Sequence, residues 1–437
     1  MEHDPRQREF LKLALGAAGV ATFGALFRPN AAEAAAVAQS AAINVKAAPY
    51  NAKGDGVTDD TAAIQAAINA LAGQGGVVCF PRGVYRVSSL TWHPEVSLIG
   101  EGLRTSTLLS NASSQLLTVA ASNVAIGNGS IQSLGLDGNG LGTVGLSVTN
   151  IARFFVDRVL VRNFTDTCIR LVGGLVIQIS RSQILSAQIG IDGSASSGVE
   201  PNLVAIRDCV LESHTKHALR WSGGSLLIVD GCDIENSGTA GDDTTAAVYI
   251  SGMCPHSEGV ACVIDQCWLE RNNGYSAVRV GPPVASTAVH VIQNTHILSG
   301  TRSYGVAIDD AGALRTSYRA VNVVAQNASV ADFLDTVTAK GILIGCSAGR
   351  VQFGGVTTRW NEPAFPDIGQ FTNDRIRFAF LGGTPPQPVI GMEMNYQGAA
   401  GETPVMLYDI AAGQLKRVSV GAPNSGGTGF RLLRVPN

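Results

Sequence analysis

The sequence predicts an all-β chain, a solenoid of stacked parallel β-strands with a capping helix before it and a β-rich cap after it. Three observations predict this class: a short apolar pattern recurs along the middle of the chain, Gly-rich turns separate its copies, and the copies lack a helical period. Charged residues make up only 15% and hydrophobic residues 45% of the 437 residues. Such a chain can bury a long core and has few charged side chains for solvated helices.

The repeated pattern is an aliphatic residue, two variable residues, a small or apolar residue, one variable residue and a second aliphatic residue. Its copies begin at residues 131, 156, 179, 206, 229, 264 and 292, so they start 23 to 35 residues apart. A second, weaker element follows, as in Ala218-Leu-x-Trp221, which predicts two short strands per repeat. Because one coil cannot bury its own inner face, coils stacked every ~4.8 Å would share a continuous core.

The pattern also predicts which side chains face the core. Its first, fourth and sixth positions are expected to point inward, and the positions beside them outward. Cys209, Cys232 and Cys267 occupy the fourth position in three copies. They predict an internal column of small hydrophobic side chains rather than a metal or redox site. The longest repeat carries an insertion near 237–259 that must loop out of its coil.

A capping helix is predicted before the solenoid, between Thr58 and Leu71. Thr58 is a candidate N-cap and Gly73 a helix stop. One helical face collects four apolar residues, Ile64, Ala67, Ile68 and Leu71. This face would cover the open first coil, and strands are expected next at Gly76–Phe80 and Val84–Val87.

The chain divides by sequence into three parts. Residues 1–35 resemble an export signal, because basic residues precede the apolar run Leu13–Phe27 and a small-x-small cleavage site, Ala32-Glu33-Ala34. Arg8-Glu-Phe-Leu-Lys12 resembles the twin-arginine signal with glutamine in place of its first arginine. An uncleaved membrane anchor is the alternative, although the run is short for a span of about 20 residues. We therefore expect a periplasmic or secreted protein with no stable membrane span after cleavage.

The other two parts are a β-helix over 42–350 and a C-terminal β-rich cap or small domain over 351–437. In the latter the repeat fades, prolines appear, and strand-like stretches follow at Met406–Tyr408 and Lys416–Val420. The number of subunits is left open.

Charge and metal-ligand patterns exclude some partners. The net charge is −3 and no long basic stretch occurs, so nucleic acid is not an expected partner. No cysteine pair has zinc spacing, and no metal site is assigned. Asp55, Asp59 and Asp60 are acidic enough for calcium, but their spacing is not that of a calcium loop, which favours a turn and a helix N-terminus.

Three motifs near the N-terminus carry a family resemblance. They are Val45-Lys-Ala-Ala-Pro-Tyr-Asn-Ala-Lys-Gly-Asp-Gly-Val-Thr-Asp-Asp-Thr61, Gly75-Gly-Val-Val-Cys-Phe-Pro81-x-Gly83 and Leu98-Ile-Gly100-Glu-Gly102. They resemble the N-terminal cap of the pectate-lyase-like superfamily, which includes polygalacturonases, rhamnogalacturonases and phage tailspikes. With the repeat, the resemblance extends over about residues 45–350. It implies a right-handed parallel β-helix and a carbohydrate substrate, but not the reaction, since many activities share this fold.

Most catalytic elements of polygalacturonases have no counterpart in this chain. Gly241-Asp242-Asp243 resembles their Asp-Asp element, whereas Asn-Thr-Asp, His-Gly and Arg-Ile-Lys elements do not occur. The reaction therefore has to be inferred from the outward side chains of the repeats.

Three consecutive repeats place an acid at one outward position, namely Glu212, Glu235 and Glu270. Stacked strands bring such side chains about 5 Å apart, and like charges that close raise at least one carboxyl pKa. A glycoside hydrolase needs one protonated and one ionised carboxyl. We predict Glu235 and Glu270 as acid and base or nucleophile, with Asp233 or Glu212 modulating them.

Three further groups are predicted to bind substrate. Trp268 is expected to lie exposed between the acids, where a sugar ring can stack, or else to pack beneath the insertion. A second outward row contains Arg220, Tyr249 and Arg279, whose arginines either bridge to the glutamates or capture uronate carboxylates. Asp242 and Asp243 on the insertion either reach over the groove or form a solvated turn.

Three functions remain open from sequence. The first is an exported glycoside hydrolase that needs no cofactor and acts on a polysaccharide, possibly one that contains uronates. The second is a polysaccharide lyase, which needs arginine or Ca²⁺ to neutralise a uronate and a base such as Arg279 or His214. The third is a non-catalytic glycan-binding or structural β-helix.

Overall fold

The architecture is known from a computed structural model. It describes residues 42–196, 199–252, 260–281, 289–308, 317–335, 340–344 and 346–348, together with the backbone of the strands that follow. The predicted export signal lies outside these residues. In the part that is described, no helix is long and apolar enough to span a membrane.

The described residues form one helix, α1 (Thr61–Asn69), and forty strands. The first half of the strands is β1 Ala42–Asn44, β2 Asp55–Asp59, β3 Gly76–Phe80, β4 Gly83–Val87, β5 Leu90–Thr91, β6 Val96–Gly100, β7 Ser106–Ser110, β8 Gln115–Ile126, β9 Ser130–Gln132, β10 Gly135–Asp137, β11 Val144–Asp157, β12 Leu160–Arg162, β13 Thr167–Val172, β14 Leu175–Ser180, β15 Gln183–Leu185, β16 Ile189–Ser194, β17 Asn202–Arg207, β18 Val210–Glu212, β19 His217–Ser222 and β20 Ser225–Asp230. The second half is β21 Asp233–Glu235, β22 Ala246–Gly252, β23 Val260–Asp265, β24 Trp268–Glu270, β25 Gly274–Val280, β26 Val289–Gln293, β27 His296–Leu298, β28 Arg302–Ile308, β29 Ser317–Val321, β30 Val324–Ala325, β31 Ala331–Asp335, β32 Lys340–Ile344, β33 Ser347–Ala348, β34 Arg350–Phe353, β35 Val356–Arg359, β36 Gly369–Gln370, β37 Ile376–Leu381, β38 Val389–Met394, β39 Val405–Asp409 and β40 Gln414–Val418.

The strands stack as a parallel β-solenoid, which confirms the predicted fold class. Twelve strands of the described chain form one sheet, here called the short-strand sheet, in the order β2-β4-β7-β10-β12-β15-β18-β21-β24-β27-β30-β33. Two further strands of each coil belong to a larger sheet; β20, β21 and β22 make one coil, and β23, β24 and β25 pair with them as the next. A coil thus has three strands rather than the predicted two, because the six-residue pattern runs across a bend from one strand into the next.

The bend before each short strand has a recurring chemistry. The residue just ahead of the fourth pattern position adopts the left-handed backbone conformation, as in Asp208, Gly231 and Gln266. The side chain that follows then donates to the carbonyl oxygen two residues before it. This bond is made by Ser182, Cys209, Cys232, Cys267 and Thr295 at 2.7, 3.1, 3.5, 3.2 and 2.7 Å.

The three cysteines lie on the inner side of the coils, as predicted, and their thiols are free. Cys209, Cys232 and Cys267 are 1–2% exposed. The bonds at the bend add a second role that the sequence did not predict, since each thiol donates to a backbone carbonyl that also accepts a backbone N–H from the preceding coil. The thiol of cysteine is a weak hydrogen-bond donor and is small enough for the crowded bend at the fourth pattern position.

The core is formed by the aliphatic positions of the pattern. Leu211, Ile234 and Leu269, at the centre of three adjacent short strands, are fully buried. Burying each such side chain stabilises the fold by about 1.5–3 kcal/mol. Because these residues pair in register, they also fix the alignment of the outward side chains on either side of them.

The N-terminal helix caps the first coils but begins later than predicted. Residues 55–59 form a strand, so Thr58 is not the N-cap; its side chain and backbone donate to Asp55 instead, and these bonds lower the pKa of Asp55 to about 2. Asp60 precedes the helix, is 2% exposed, and accepts the backbone N–H groups of Lys53 and Gly54 at 2.6 and 2.8 Å. Ile64, Ala67 and Ile68 form the buried helical face, as predicted.

Parallel pairing continues to β34, and the strands that follow pair antiparallel. Residues Asp374–Asn437 form a compact unit of their own. Within it, β37 pairs with β38 and β39 with β40. The last pair overlaps the two strand-like stretches predicted near residues 406 and 416.

Candidate active site

The outer face of the short-strand sheet carries a cluster of carboxyl groups. Parallel pairing of β18, β21 and β24 aligns Glu212 with Glu235 and Glu235 with Glu270. The other outward position of these strands aligns Asp233 with Trp268. We call Glu212, Asp233, Glu235 and Glu270 the acidic ledge. The register therefore places the four predicted catalytic residues side by side on adjacent coils.

Burial makes one acid of the ledge different from the others. Burial, followed by the negative charge and hydrogen bonding of Glu235, raises the pKa of Asp233 from 3.8 to about 6. Its Oδ1 atom is buried and has no hydrogen-bond partner within the described part of the chain. Asp233 thus stays protonated in mildly acidic solution, where an ordinary aspartate is ionised.

Each glutamate of the ledge instead has a defined donor. Arg271 forms an ion pair with Glu235, and this pairing raises the pKa of Arg271. Asn236 donates to Glu212 at 3.3 Å, and the Trp268 indole N–H donates to Glu270 at 3.0 Å. These donors hold the side chains of the three glutamates in place. The ledge therefore combines a proton-bearing acid with oriented carboxylates.

Trp268 lies on the surface beside the ledge. Its side chain is 41% exposed, and the indole stacks on His296 of the next coil, with ring centroids 5.3 Å apart and planes 20° apart. The alternative of an indole sealed beneath the insertion is therefore wrong. His296 was not among the predicted site residues, although its place in the same row of the repeat is a signal that would have found it.

The predicted second row is assembled but does not reach the glutamates. Arg220, Tyr249 and Arg279 align on β19, β22 and β25. Arg220 makes a bidentate pair with Asp192 on the preceding coil, at 2.8 and 2.7 Å. The expected bridge from Arg220 to the glutamates is thus wrong, because an acid of its own row is nearer.

Arg279 is held by aromatic rings and by the insertion. Its guanidinium lies 4.1 Å from the ring centroid of Tyr275 and 5.3 Å from that of Tyr249, and it donates to the backbone carbonyl of Asp243 at 2.8 Å. Tyr249 in turn stacks on His217 at 5.3 Å. This row is a structured surface, and its arginines already have partners.

The two acids of the insertion have separate surroundings. Asp242 accepts the backbone N–H and the hydroxyl of Thr244 at 2.9 and 2.6 Å, and these bonds lower its pKa. Its side chain therefore closes a turn. Asp243 is exposed and contributes its backbone carbonyl to Arg279.

The nearby histidines are buried, which removes one candidate base. His214 is 1% exposed and lies 3.0 Å from the carbonyl of Ile184, and burial lowers its pKa to about 4. His217 is 5% exposed, and burial likewise lowers its pKa to about 4. His214 is thus inaccessible as the base that a lyase would need. Across the described ranges, no three His, Cys, Asp or Glu side chains are placed to hold a metal ion.

A family comparison covers about two thirds of the β-helix, from its N-terminal end. Residues 42–253 match the family described as rhamnogalacturonase A/epimerase, pectate lyase-like. Mannuronan C5-epimerase AlgE2 of Azotobacter vinelandii is 49% identical over 69 residues, which are 14% of this chain and 7% of the epimerase. A glucan 1,3-beta-glucosidase of Cochliobolus carbonum is 45% identical over 58 residues, 13% of this chain and 7% of that enzyme. The matched stretches thus cover a small fraction of these relatives.

Solved structures show the same fold over much more of the chain. ORF18 of Geobacillus virus E2 aligns with a TM-score of 0.51 and 15% identity over 93% of this chain and 89% of that chain. The A-module of mannuronan C-5 epimerase AlgE4 of Azotobacter vinelandii aligns with a TM-score of 0.50 and 19% identity over 66% of this chain and 78% of that chain. The chain thus matches a pectate-lyase-like family over residues 42–253 and shares a β-helical fold with these structures.

Proposed function

We propose that the acidic ledge hydrolyses glycosidic bonds of a polysaccharide. The family is polysaccharide-active, and hydrolysis requires a carboxylic acid that keeps its proton beside a carboxylate that does not. The observation that carries the proposal is the pKa of Asp233, raised to about 6 by burial and by Glu235. Hydrolysis by two carboxyl groups needs no cofactor.

The contacts suggest a division of roles. Asp233 donates a proton to the oxygen of the leaving sugar. Glu270, on the adjacent coil and held by the Trp268 indole at 3.0 Å, acts as base or nucleophile. Glu235, paired with Arg271, supplies the negative charge that keeps Asp233 protonated. Compared with the roles expected from sequence, the acid moves from Glu235 to Asp233.

A lyase is the less favoured reaction at this ledge. It must neutralise a substrate carboxylate, whereas the ledge carries four acids and its arginine, Arg271, is paired with Glu235. A protein that only binds glycans would need the exposed Trp268 but would gain nothing from a carboxyl of raised pKa. Because crowded like charges destabilise a fold, the cluster of acids would then be a cost without a function.

The test is a reducing-sugar assay over acidic and neutral polysaccharides, with and without calcium. We expect at least one polymer to be cleaved, and Glu270→Gln to lower the rate by about 10²-fold or more. Glu200→Gln, an acid outside the ledge, is the matched control and should keep full activity. Products that absorb in the ultraviolet would identify a lyase, and binding of glycans without turnover would identify a binder; either result rejects the proposal.

Trp268 is expected to have two separable effects. Trp268→Ala should raise KM about tenfold, because a sugar ring loses its stacking surface. Trp268→Phe keeps an aromatic face but loses the N–H that holds Glu270, so KM should stay near that of the unsubstituted protein while kcat falls. Steady-state kinetics on the cleaved polymer measures both constants. Equal KM values in the protein and both variants would contradict a role in stacking.

The proposed substrate also favours a location outside the cytoplasm. Polysaccharides of the kind that family members act on lie in the periplasm, at the cell surface or beyond, and residues 1–35 resemble an export signal. We propose export by the twin-arginine route. Cell fractionation that finds the full-length protein only in the cytoplasm would reject it.

A further inference from the structure

The core of the β-helix contains a histidine whose ring makes no hydrogen bond. His290 on β26 is 1% exposed, and neither of its ring nitrogens has a partner within the described part of the chain. Buried polar groups are nearly always paired, and a neutral imidazole carries one N–H and one lone pair that both need a partner. The lone pair of His290 therefore points to a ligand that the protein itself does not supply.

A cysteine lies next to this histidine on the adjacent coil. Cys262 of β23 aligns with His290, and its thiol is free and 1% exposed. The buried thiols of Cys168 and Cys209 donate to backbone carbonyls, whereas the Cys262 thiol makes no hydrogen bond in the part of the chain that the structure describes. Two polar side chains without partners thus occupy neighbouring coils.

The register stacks these two side chains inside the coils. Cys262 and His290 each stand two residues before a buried isoleucine, Ile264 and Ile292, so they share the inward face of their strands. An ion midway between donor atoms stacked ~4.8 Å apart would lie roughly 2.4 Å from each, close to the bonds of about 2.0–2.3 Å that metals form with imidazoles and thiolates. The spacing of the coils therefore suits one bridging metal ion.

The surroundings of the pair carry no charge. Leu227 aligns with Cys262 on one side and Tyr318 with His290 on the other, and both are buried. Burial alone raises the pKa of the Cys262 thiol to about 12 and lowers the pKa of His290 to about 4, so no nearby charge contributes to either shift. Because an uncompensated charge is costly in such a core, the complex that fits has no net charge.

Charge and ligand number select the ion. A thiolate and a neutral imidazole together carry one negative charge, which a monovalent cation cancels and a divalent cation exceeds. The described residues bring no third His, Cys, Asp or Glu to the pair, whereas structural zinc takes four ligands. Cu(I) is monovalent, prefers thiolates, also binds imidazole, and is stable with two ligands.

We propose that Cys262 and His290 bind one Cu(I) ion inside the β-helix. The Cys262 thiol gives its proton to solvent as its sulfur binds the ion, and one ring nitrogen of His290 is the second ligand. Copper enters and remains in the +1 state, so no electron is transferred. Because both side chains are sealed from solvent, the ion enters while the coils fold. The bound ion then links two adjacent coils and gives the lone pair of His290 its partner.

The test is the copper content of the full-length chain after anaerobic refolding with Cu(I) and removal of loosely held metal by a chelator. All proteins carry Cys232→Ala, which leaves no two thiols on adjacent coils of the cysteine column. In this background, Cys262→Ala and His290→Leu should each lose one copper ion per chain. Cys168→Ala, which removes another fully buried thiol, is the matched control and should lose none.

Two further measurements make the test decisive. His290→Leu replaces an unpartnered polar ring with an apolar side chain, so without copper it should melt no lower than its parent, which circular dichroism checks. X-ray absorption of the Cys232→Ala protein should show a copper site with one sulfur and one nitrogen ligand, and His290→Leu should lose the nitrogen.

Three results would overturn the copper site. The first is an equal copper content in His290→Leu and its parent, and the second is an X-ray absorption spectrum with sulfur ligands alone. The third is retention of Zn²⁺ in place of Cu(I) when both are offered, which would reject the assignment to a monovalent ion. None of these readouts involves polysaccharide cleavage, so the site is tested independently of the proposed hydrolase.

Discussion

Replacing Asp233 with asparagine is expected to lower the rate of polysaccharide cleavage by about 10²–10⁴-fold while making the fold more stable at pH 8. The loss of rate follows because an amide cannot supply the proton that the leaving sugar needs. For the same reason, the activity of the protein without substitutions should fall as the pH rises above about 6, the pKa of Asp233. A pH–rate profile on the cleaved polymer measures both effects.

The gain in stability follows from the direction of the pKa shift. The folded state raises the pKa of Asp233 from 3.8 to about 6, so it binds this proton more tightly than the unfolded chain does. The resulting stabilisation is complete below pH 3.8 and is lost as the pH rises through about 6. Asparagine does not ionise, so above pH 6 the variant avoids a half-buried negative charge next to Glu235. Thermal melting of both proteins at pH 4 and pH 8 shows the difference.

The matched control is Asp208→Asn, which changes an exposed acid at the bend before β18. Asparagine tolerates the left-handed conformation that Asp208 adopts. This variant should keep both the rate and the pH dependence of melting. An Asp233→Asn protein that cleaves at the full rate, or that melts at a lower temperature than the original protein at pH 8, would contradict the assigned role.

The acidic ledge could be predicted from sequence because its alignment depends on the core. The same pattern position is occupied by buried residues in three coils, namely Leu211, Ile234 and Leu269. Because successive side chains of a strand point to opposite faces, the residues beside each of them must point outward. Once these three coils are adjacent, Glu212, Glu235 and Glu270 must share one row. The alternation of inward and outward residues was therefore sufficient to predict that the three glutamates align.

The partners of the ledge could not be predicted in the same way. Arg271 and Asn236 stand at the bend just after a short strand, both with left-handed backbones (φ of 53° and 49°). There the alternation of a strand no longer applies, so the pattern does not say that these side chains turn toward Glu235 and Glu212. The raised pKa of Asp233 likewise depends on burial by residues of neighbouring coils. The sequence of its own strand carries no information about that burial. The repeated pattern of inward residues therefore predicts which outward side chains align on adjacent coils. It does not predict their ion pairs or their pKa values.

The largest effect on stability is expected from the pair Gly193 and Trp221. They occupy aligned positions on β16 and β19, and Trp221 is fully buried. A Cβ atom at Gly193 would lie 2.2 Å from two carbon atoms of the indole, closer than any packed contact. Gly193→Val should therefore destabilise the β-helix by about 3 kcal/mol or more, since a filled core cannot accept the added atoms without displacing the ring.

The same pair explains a gap in the sequence pattern. In β16 (Ile189–Ser194) the weaker second element lacks its last large apolar residue, because Gly193 stands in that place. Gly193 aligns with Leu171 on one side and Trp221 on the other, and Trp221 aligns in turn with Ile250. The large tryptophan of one coil thus fills the space that the preceding coil leaves empty. A pattern that treats each position separately does not detect a small residue in one coil that is compensated by a large residue in the next.

A double-mutant cycle tests this account. Trp221→Leu alone should cost about 2–4 kcal/mol by leaving a cavity, whereas Gly193→Ala together with Trp221→Leu should cost less than the sum of the two single changes by about 1–3 kcal/mol. Denaturant midpoints followed by circular dichroism compare the variants, and Trp268→Leu, which changes an exposed tryptophan, should leave the midpoint unchanged. Additive costs would show that the two residues do not share one volume. A double variant that costs less than the sum of its single changes would mean that side-chain volumes are matched between adjacent coils rather than within one coil. Such complementary columns would then help to hold the coils that carry the acidic ledge in register.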